Sequence, residues 1–202
     1  MQQEGTPTVD VVFGLEGTSL PSDHAEALAR AVAAWLPWLA DEPAAGIHPL
    51  RTAPTTGGMV LLARRARLVL RVPEARAEAS LALAGRRLDV GEGLRTSGGE
   101  IRELTPSPTV YASRVVSSAA DETAFRDEIA GWLDAAAIRG EFISGRPRPY
   151  AAGGTAASAR GLALHGLSPA ASIRVQGEGY GPHRRLGCGL FVPHKAIAVP
   201  AD

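Results

Sequence analysis

The stretch Val9-Asp10-Val11-Val12-Phe13-Gly14-Leu15 is rich in β-branched and aromatic residues and predicts a strand near the start of the chain. A helix is expected to follow, because Ser22 is a typical N-cap residue and Leu28 and Val32 lie at helical spacing. The next predicted elements are strands at 47–52, 59–72 and 87–90, with a second helix at 74–83 between the last two. The resulting order, β-α-β-β-α-β, is that of a ferredoxin-like unit.

The same order begins again in the second half of the chain. Asp121 is expected to cap a helix at 122–137, and Ser168 to cap a shorter helix at 170–176. The segment 144–158 is rich in proline, glycine and alanine and predicts a mobile hairpin tip. Strands are predicted at 101–104, 110–116, 142–143, 162–167 and 190–192. We therefore predict an α+β fold of two tandem ferredoxin-like (RRM-like) units, in domains 1–93 and 94–202, the second with a C-terminal glycine-rich loop.

Composition excludes several classes of protein. No apolar run approaches the roughly twenty residues of a membrane-spanning helix, and the N-terminal residues lack the basic and apolar regions of a secretory signal. Cys188 is the only cysteine, so an internal disulfide is impossible and a cytoplasmic location is expected. The five histidines are scattered and no cysteine pair exists, so the sequence predicts neither a metal nor another cofactor.

The glycine-rich loop at 177–189 contains five glycines and two adjacent arginines, and a predicted strand follows it. It lacks the Gly-Lys-Ser/Thr of a mononucleotide loop, and it does not lead into a helix as a dinucleotide loop does. Exposed backbone N–H groups and arginine side chains bind phosphate, so the loop favours a nucleic-acid backbone over a free nucleotide. A flexible surface loop is the alternative. The candidate nucleic-acid-binding residues are Gly177, Gly179, Tyr180 (as a stacking residue), Gly181, His183, Arg184, Arg185, Gly187 and Gly189.

The charge distribution supports a nucleic-acid partner although the formal net charge is zero. Basic blocks at 57–120 and 139–202 alternate with acidic blocks at 1–56 and 121–138, so the basic blocks could form one face. The first basic block adds a second set of candidate phosphate contacts, for which a solvated strand face is the alternative. These are Arg64, Arg65, Arg67 and Arg71.

Six short segments carry a resemblance to a known family. They are VDVVF at 9–13, LPSDH at 20–24, GIHP at 46–49, RARLVLR at 65–71, LSPAASI at 167–173 and RRLGCGLFVPHK at 184–195. In this order they resemble CRISPR-associated protein six, the endoribonuclease that cuts CRISPR repeat RNA, in a compact type I form. The glycine loop with its basic centre is the most specific of these segments.

The resemblance implies metal-independent cleavage of a precursor CRISPR RNA within each repeat. The 2′-hydroxyl of the RNA attacks the neighbouring phosphate and leaves a 2′,3′-cyclic phosphate and a 5′-hydroxyl. The expected partners are the stem-loop repeat RNA and other subunits of a type I effector complex. A histidine near the first helix supplies acid/base chemistry in the family, and His24 matches that place. No tyrosine or lysine lies near His24 in sequence, so the second catalytic residue stays open.

Histidine suits this reaction because it titrates near neutral pH and can act as acid or base. His24 is expected in the first turn of helix one, where free N–H groups attract a phosphate. His48, before Pro49, is either the second acid/base group or a turn residue bonded to the backbone. The leading hypothesis is a repeat-specific endoribonuclease. The alternatives are a non-catalytic repeat-RNA-binding subunit of an effector complex and a structural domain with an incidental loop.

Overall fold

The computed structural model describes residues 7–152 and 155–195, which fall into two compact units. The N-terminal unit holds the chain up to Glu103 together with Arg184–Gly187, and the C-terminal unit holds Leu104–His183 and the residues from Cys188 onward. None of the helices in the described ranges combines the length and the apolar character that crossing a bilayer requires.

The N-terminal unit is built on a five-stranded antiparallel sheet. Its elements are β1 (Thr8–Glu16), β2 (Ser19–Pro21), α1 (Ala25–Trp35), β3 (Gly46–Ile47), β4 (Thr52–Pro54), β5 (Met59–Leu62), β6 (Arg67–Pro73), α2 (Ala77–Ser80), β7 (Arg87–Leu88) and β8 (Leu94–Glu103). The main sheet has the order β3-β6-β1-β8-β7, and β2, β5 and β4 form a small separate sheet. Short 3₁₀ turns flank α2 and follow α1, and another occupies Arg184–Leu186.

Alternation along β1 gives this sheet two different faces. Val9, Val11 and Phe13 are buried and share one hydrophobic core with Leu28 and Val32 of α1. Because successive side chains point to opposite faces of a strand, the residues between them belong to the other face, which carries polar groups. Asp10 is therefore on that polar face.

The C-terminal unit repeats the arrangement. Its elements are β9 (Thr109–Ser117), α3 (Glu122–Ala135), β10 (Glu141–Ser144), β11 (Arg148–Ala152), β12 (Thr155–His165), α4 (Pro169–Glu178) and β13 (Val192–Pro193). The sheet order is β10-β12-β9-β13, and β11 pairs with β12. In both units the second, third, first and fourth strands of the ferredoxin-like motif lie side by side in that order. The predicted α+β fold of two ferredoxin-like units is confirmed.

Two helix caps were predicted correctly, and one was not. The Asp121 carboxylate accepts the Ala124 N–H at 2.8 Å, and the Ser168 hydroxyl accepts the Ala171 N–H at 3.2 Å. Ser22, in contrast, does not cap α1, because that helix begins two residues later than predicted and His24 takes the cap position.

The predicted boundary between domains 1–93 and 94–202 needs correction. Residues 94–103 form β8, which pairs with β1 as the fourth strand of the first motif, so the boundary lies after Glu103. The predicted strand at 101–104 is the end of β8. The predicted hairpin tip at 144–158 forms β11 and the start of β12, and residues 153–154 lie outside the described residues.

Candidate functional site

A buried charged cluster occupies the polar face of the N-terminal sheet. Asp10 in β1 stands opposite Arg71 in β6. The Arg71 guanidinium donates from Nε to Oδ1 at 2.8 Å and from a terminal nitrogen to Oδ2 at 2.9 Å. His48 follows β3, and its Nε2 lies 3.7 Å from Oδ1 of Asp10. Arg71 is 1% exposed and the His48 side chain 11%, so the three groups are held together largely out of solvent.

The electrostatics of this cluster set the charge of each member. Burial alone would raise the pKa of Asp10, but His48 and Arg71 outweigh it and hold that pKa at about 2. Burial lowers the pKa of His48 in spite of the opposing effect of Asp10, and the positive charges of Arg71 and Arg184 lower it further. At neutral pH Asp10 is therefore ionised, and His48 is a neutral imidazole able to accept a proton.

The arginines of the glycine loop belong to the same unit. The 3₁₀ turn Arg184–Leu186 packs against β3 and α1. Arg184 donates to the Ala44 carbonyl at 3.0 Å, and Arg185 donates to the Leu39 carbonyl at 3.2 Å. Burial and the charge of Arg71 lower the pKa of Arg184 to about 10, which still leaves it protonated at pH 7. With one carboxylate, two guanidiniums and a neutral imidazole, the cluster has one surplus positive charge and attracts an anion.

Gly187 brings the loop against the residue after His48. Its φ is +82°, and a Cβ at this position would lie 2.9 Å from Cγ of Pro49, closer than side-chain carbons approach. Only glycine satisfies both the backbone conformation and the close approach. The segment Arg184–Gly187 is thus held against Pro49, the residue after His48, by a position that excludes larger residues.

His24 occupies the cap position of α1. Its Nδ1 lies 2.8 Å from the Pro21 carbonyl oxygen. A carbonyl oxygen can only accept, so Nδ1 carries the proton in this bond and Nε2 is the ring nitrogen left for chemistry. The ring is partly buried at the start of the helix, and the His24 side chain makes no capping hydrogen bond to α1.

The remaining glycines of the loop belong to the C-terminal unit, and their contacts lie within it. Gly179 ends α4 at a φ of +65°, and Gly181 and Gly189 also have positive φ. A Cβ on Gly189 would collide with the carbonyl group of Tyr180. The backbone N–H of Tyr180 donates to the Gly189 carbonyl at 3.1 Å. Gly177 lies inside α4, so the loop begins later than predicted.

Tyr180 and His183, two RNA-binding candidates of this segment, differ in how tightly they are packed. The Tyr180 hydroxyl donates to Glu128 at 2.7 Å, and its ring centroid lies 4.4 Å from that of Trp132. Tyr180 is therefore packed on its own unit instead of projecting as a free stacking residue. His183 is exposed, has a φ of +66° and lies 5.8 Å from the Tyr150 ring.

Comparison with known proteins identifies the family. The family model described as Cas6 Crispr matches residues 9–196. A curated relative, the CRISPR-associated endonuclease Cas6 of Myxococcus xanthus (strain DK1622), is 35% identical over 193 residues, which is 92% of this chain and 81% of that protein. The chain belongs to the Cas6 family. The predicted family membership is confirmed.

Solved structures of Cas6-type proteins share the fold. A CRISPR associated protein Cas6 superposes with a TM-score of 0.66 at 12% identity, covering 93% of this chain and all of that chain. Thermus thermophilus Cse3, bound to an RNA representing a pre-cleavage complex, gives a TM-score of 0.51 at 14% identity, covering 92% of this chain and 98% of that chain. At these identities the likeness demonstrates the architecture and not the chemistry.

The predicted basic run of this Cas6-family chain divides into two groups. Arg64 and Arg65 lie in the turn between β5 and β6, and Arg67 begins β6; all three are exposed. Arg71 is the correction, because it is buried and its Nε and one terminal nitrogen donate to the two carboxylate oxygens of Asp10. It is a structural charge partner, and its assignment to RNA contact does not fit this position.

Sequence reasoning missed Asp10 and Glu128. Asp10 is the only charged residue in the apolar run 9–15, and Arg71 ends a similar run. Two opposite charges in strands that otherwise read as core would have indicated a cross-strand pair. Glu128 had no such signal, because it sits on a helix with several other acidic residues.

Across 7–152 and 155–195, no group of three or more histidine, cysteine, aspartate or glutamate side chains could hold a metal ion. Metal independence stays a prediction, to be tested by activity.

Proposed function

We propose that this chain is a metal-independent endoribonuclease that cleaves precursor CRISPR RNA within its repeats, with the RNA 2′-hydroxyl as nucleophile. The observation that carries the proposal is the neutral His48 beside an ionised Asp10, in a cluster with surplus positive charge and next to Gly187. Family membership supports the reaction class, since the Myxococcus relative is named an endonuclease. The RNA bound to Cse3 supports the substrate by analogy of fold alone.

In the proposed mechanism a repeat phosphate binds beside Arg184, attracted by the surplus positive charge. His48 takes the proton of the neighbouring 2′-hydroxyl as the new 2′-oxygen–phosphorus bond forms. The imidazolium that results is stabilised by Asp10, whose Oδ1 is 3.7 Å from Nε2. Arg71 keeps Asp10 ionised and in place, and Arg184 offsets the charge that builds on the phosphate oxygens.

The bond from phosphorus to the 5′-oxygen then breaks, and the leaving oxygen needs a proton. We assign this step to His24, acting through Nε2 when that nitrogen is protonated, because Nδ1 is committed to Pro21. The products are a 2′,3′-cyclic phosphate and a 5′-hydroxyl. General acid and base groups of this kind each contribute about 10²–10⁴-fold to a rate. Membership of a type I effector complex remains a prediction.

One observation favours the alternative, a repeat-RNA-binding subunit without catalysis. The His48 side chain is only 11% exposed. A base must reach within about 3 Å of the proton that it removes. If RNA binding leaves His48 as buried as it is here, the cluster would serve to position the loop, and the chain would bind RNA intact.

Labelled repeat RNA incubated with purified protein in EDTA distinguishes these functions. We expect cleavage by the wild type, and about 10²-fold or greater loss with His48→Ala or His24→Ala while repeat binding stays within a few fold. His194→Ala is the matched control, because His194 is exposed and lies outside the cluster. Intact binding by the wild type would support the non-catalytic subunit instead.

A substrate with deoxyribose just upstream of the cut tests the nucleophile. It should bind but resist cleavage, because the attacking hydroxyl is missing. Cleavage of this substrate, or activity that depends on added magnesium, would indicate a metal-activated water and would refute the proposed mechanism.

A further inference from the structure

An open cleft of about 640 Å³ lies in the C-terminal unit. It is bordered by the end of β9, by α3, by β12 and by the part of the glycine loop around Gly181, and its polar lining includes Ser117, Glu128, Ser158 and Tyr180. Its volume is within the range of small-molecule sites in proteins. None of the histidines assigned above lines it.

Glu128 is the charged group of this cleft, and each of its two carboxylate oxygens accepts one hydrogen bond from a hydroxyl group. Oε1 accepts the Tyr180 hydroxyl at 2.7 Å, and Oε2 accepts the Ser117 hydroxyl. Ser117 is itself fixed, because its oxygen accepts the Ala119 N–H at 2.9 Å. A carboxylate offers about four acceptor positions, so each oxygen keeps one for a further donor. Because Glu128 lines the cleft, two adjacent carboxylate oxygens with remaining acceptor capacity border it.

The walls around these acceptors are preformed. The Tyr180 ring rests on Trp132, and its backbone N–H is bound to the Gly189 carbonyl. Gly181 has a φ of +76°, and a Cβ there would lie 3.1 Å from the Val116 carbonyl oxygen. The main chain thus closes one side of the cleft without a side chain that would fill it.

We propose that this cleft binds a guanine base, with the Glu128 carboxylate accepting from N1–H and from the 2-amino group. Guanine is the one RNA base whose Watson–Crick edge carries two adjacent donors. Adenine and cytosine place an acceptor beside their amino group, and uracil flanks its single N–H with carbonyls. Unstacked bases of single-stranded RNA are read on this edge. The inference deepens the proposed function, on which it rests for the RNA that would supply the base.

Titration of the wild-type chain with 5′-GMP, 5′-IMP and 5′-AMP, followed by calorimetry, tests the site directly. IMP keeps N1–H but lacks the 2-amino group, and AMP has neither of these two donors. Since a hydrogen bond to a charged group is lost in each case, we expect GMP to bind about tenfold or more tightly than IMP, and AMP to bind more weakly still. Equal affinities for the three nucleotides, or no binding of GMP, overturn the proposal.

Glu128→Gln assigns the preference to the carboxylate. We expect it to reduce the GMP preference over IMP to about twofold or less, because the amide replaces one acceptor by a donor. Asp127→Asn is the matched control: it removes a charge from the neighbouring, exposed position of α3 and should keep the preference. Melting temperatures of both variants check folding, and the comparison of nucleotides on the wild type needs no variant. A Glu128→Gln protein that still prefers GMP overturns the assignment.

These titrations involve neither repeat RNA nor cleavage. Failure of the endoribonuclease assay with a clear GMP preference would overturn the proposed function and keep the guanine site. Cleavage of repeat RNA without a GMP preference would do the reverse.

Discussion

Asp10 and Arg71 face each other across β1 and β6, and two guanidinium nitrogens bind the two carboxylate oxygens at 2.8 and 2.9 Å. Arg71 is almost fully buried, and Asp10 compensates its positive charge. Removing one member of a buried pair leaves an uncompensated charge and costs about 3–5 kcal/mol. We expect Asp10→Asn to lower the free energy of unfolding by about 3 kcal/mol, measured by urea denaturation.

The exposed pair Arg102–Glu100, at 2.7 Å, provides the control for that experiment. Both side chains are more than half exposed, so water screens their interaction. Glu100→Gln should leave the denaturation midpoint unchanged within error. An Asp10→Asn protein as stable as the wild type would show that the buried pair does not support the fold.

The same pair predicts how stability depends on acid. The pKa of Asp10 is about 2 in the folded chain against an ordinary value of 3.8, so the unfolded chain binds more protons between these values. The stabilisation from Asp10 is complete above about pH 4 and is lost as the pH falls to about 2. It amounts to about 2 kcal/mol. Denaturation of the wild type at intervals between pH 2 and 5 should show this fall, and Asp10→Asn should lack it.

His48 should also make the protein less stable as the pH falls, but over a higher pH range than Asp10. Burial lowers its pKa below 6.5, so below that pH the unfolded chain takes up a proton that the folded chain resists. Stability of the wild type should therefore decrease as the pH drops below about 6.5. His48→Gln should flatten this part of the profile and, because His48 helps to hold the pKa of Asp10 low, should also reduce the fall below pH 4. If both proteins show the same slope between pH 5 and 6.5, His48 is not buried in its neutral form.

The sequence was sufficient for the fold because its signals were local. The β-branched and aromatic residues at 9–13 and the caps Asp121 and Ser168 each act within a few residues, and all three lie where the pattern predicts. The domain boundary failed because the glycines at 91, 93, 98 and 99 make residues 91–100 resemble a linker, whereas pairing with β1 assigns 94–103 to the first unit. Pairing between distant strands leaves little trace in a single sequence.

The site was predicted only in part, for the same reason. His48 and Gly187 were identified as candidates, but their neighbours are fixed by tertiary contacts. The burial of Arg71 follows from its place opposite Asp10, 61 positions away in the chain. Arg184 and Arg185 were expected to bind phosphate, and the structure adds hydrogen bonds to main-chain carbonyls that no spacing indicates.

Arg184 and Arg185 allow anchoring and phosphate binding to be separated. Arg184 is partly buried and Arg185 exposed, so we expect Arg184→Ala to lower the free energy of unfolding by about 1–3 kcal/mol and Arg185→Ala by less. Removing one phosphate-binding side chain should also reduce the slope of log affinity for repeat RNA against log salt by about 0.7–0.9. Binding measured from about 50 to 200 mM salt gives this slope. A double variant with unchanged affinity and slope would leave Arg64, Arg65 and Arg67 as the preferred RNA-binding residues.

Gly187 combines two constraints that a matched variant can separate. Gly58 has nearly the same backbone conformation, with a φ of +73° against +82°, but nothing lies within 4 Å of a Cβ placed there. Gly58→Ala should therefore cost only the left-handed strain, about 1 kcal/mol. Gly187→Ala adds the clash with Pro49 and should cost about 1 kcal/mol more, with weaker repeat binding at every salt concentration.

A double-mutant cycle with Pro49→Ala identifies the source of the additional cost. Pro49→Ala removes the Cγ atom 2.9 Å from the added methyl group. The double variant should therefore regain most of the stability lost to the clash, while the cost of the left-handed backbone remains. Urea denaturation of the four proteins gives the coupling energy. A coupling energy near zero would mean that the loop moves away from Pro49 freely, and the close approach of Gly187 to the His48 cluster would then not be needed for the fold.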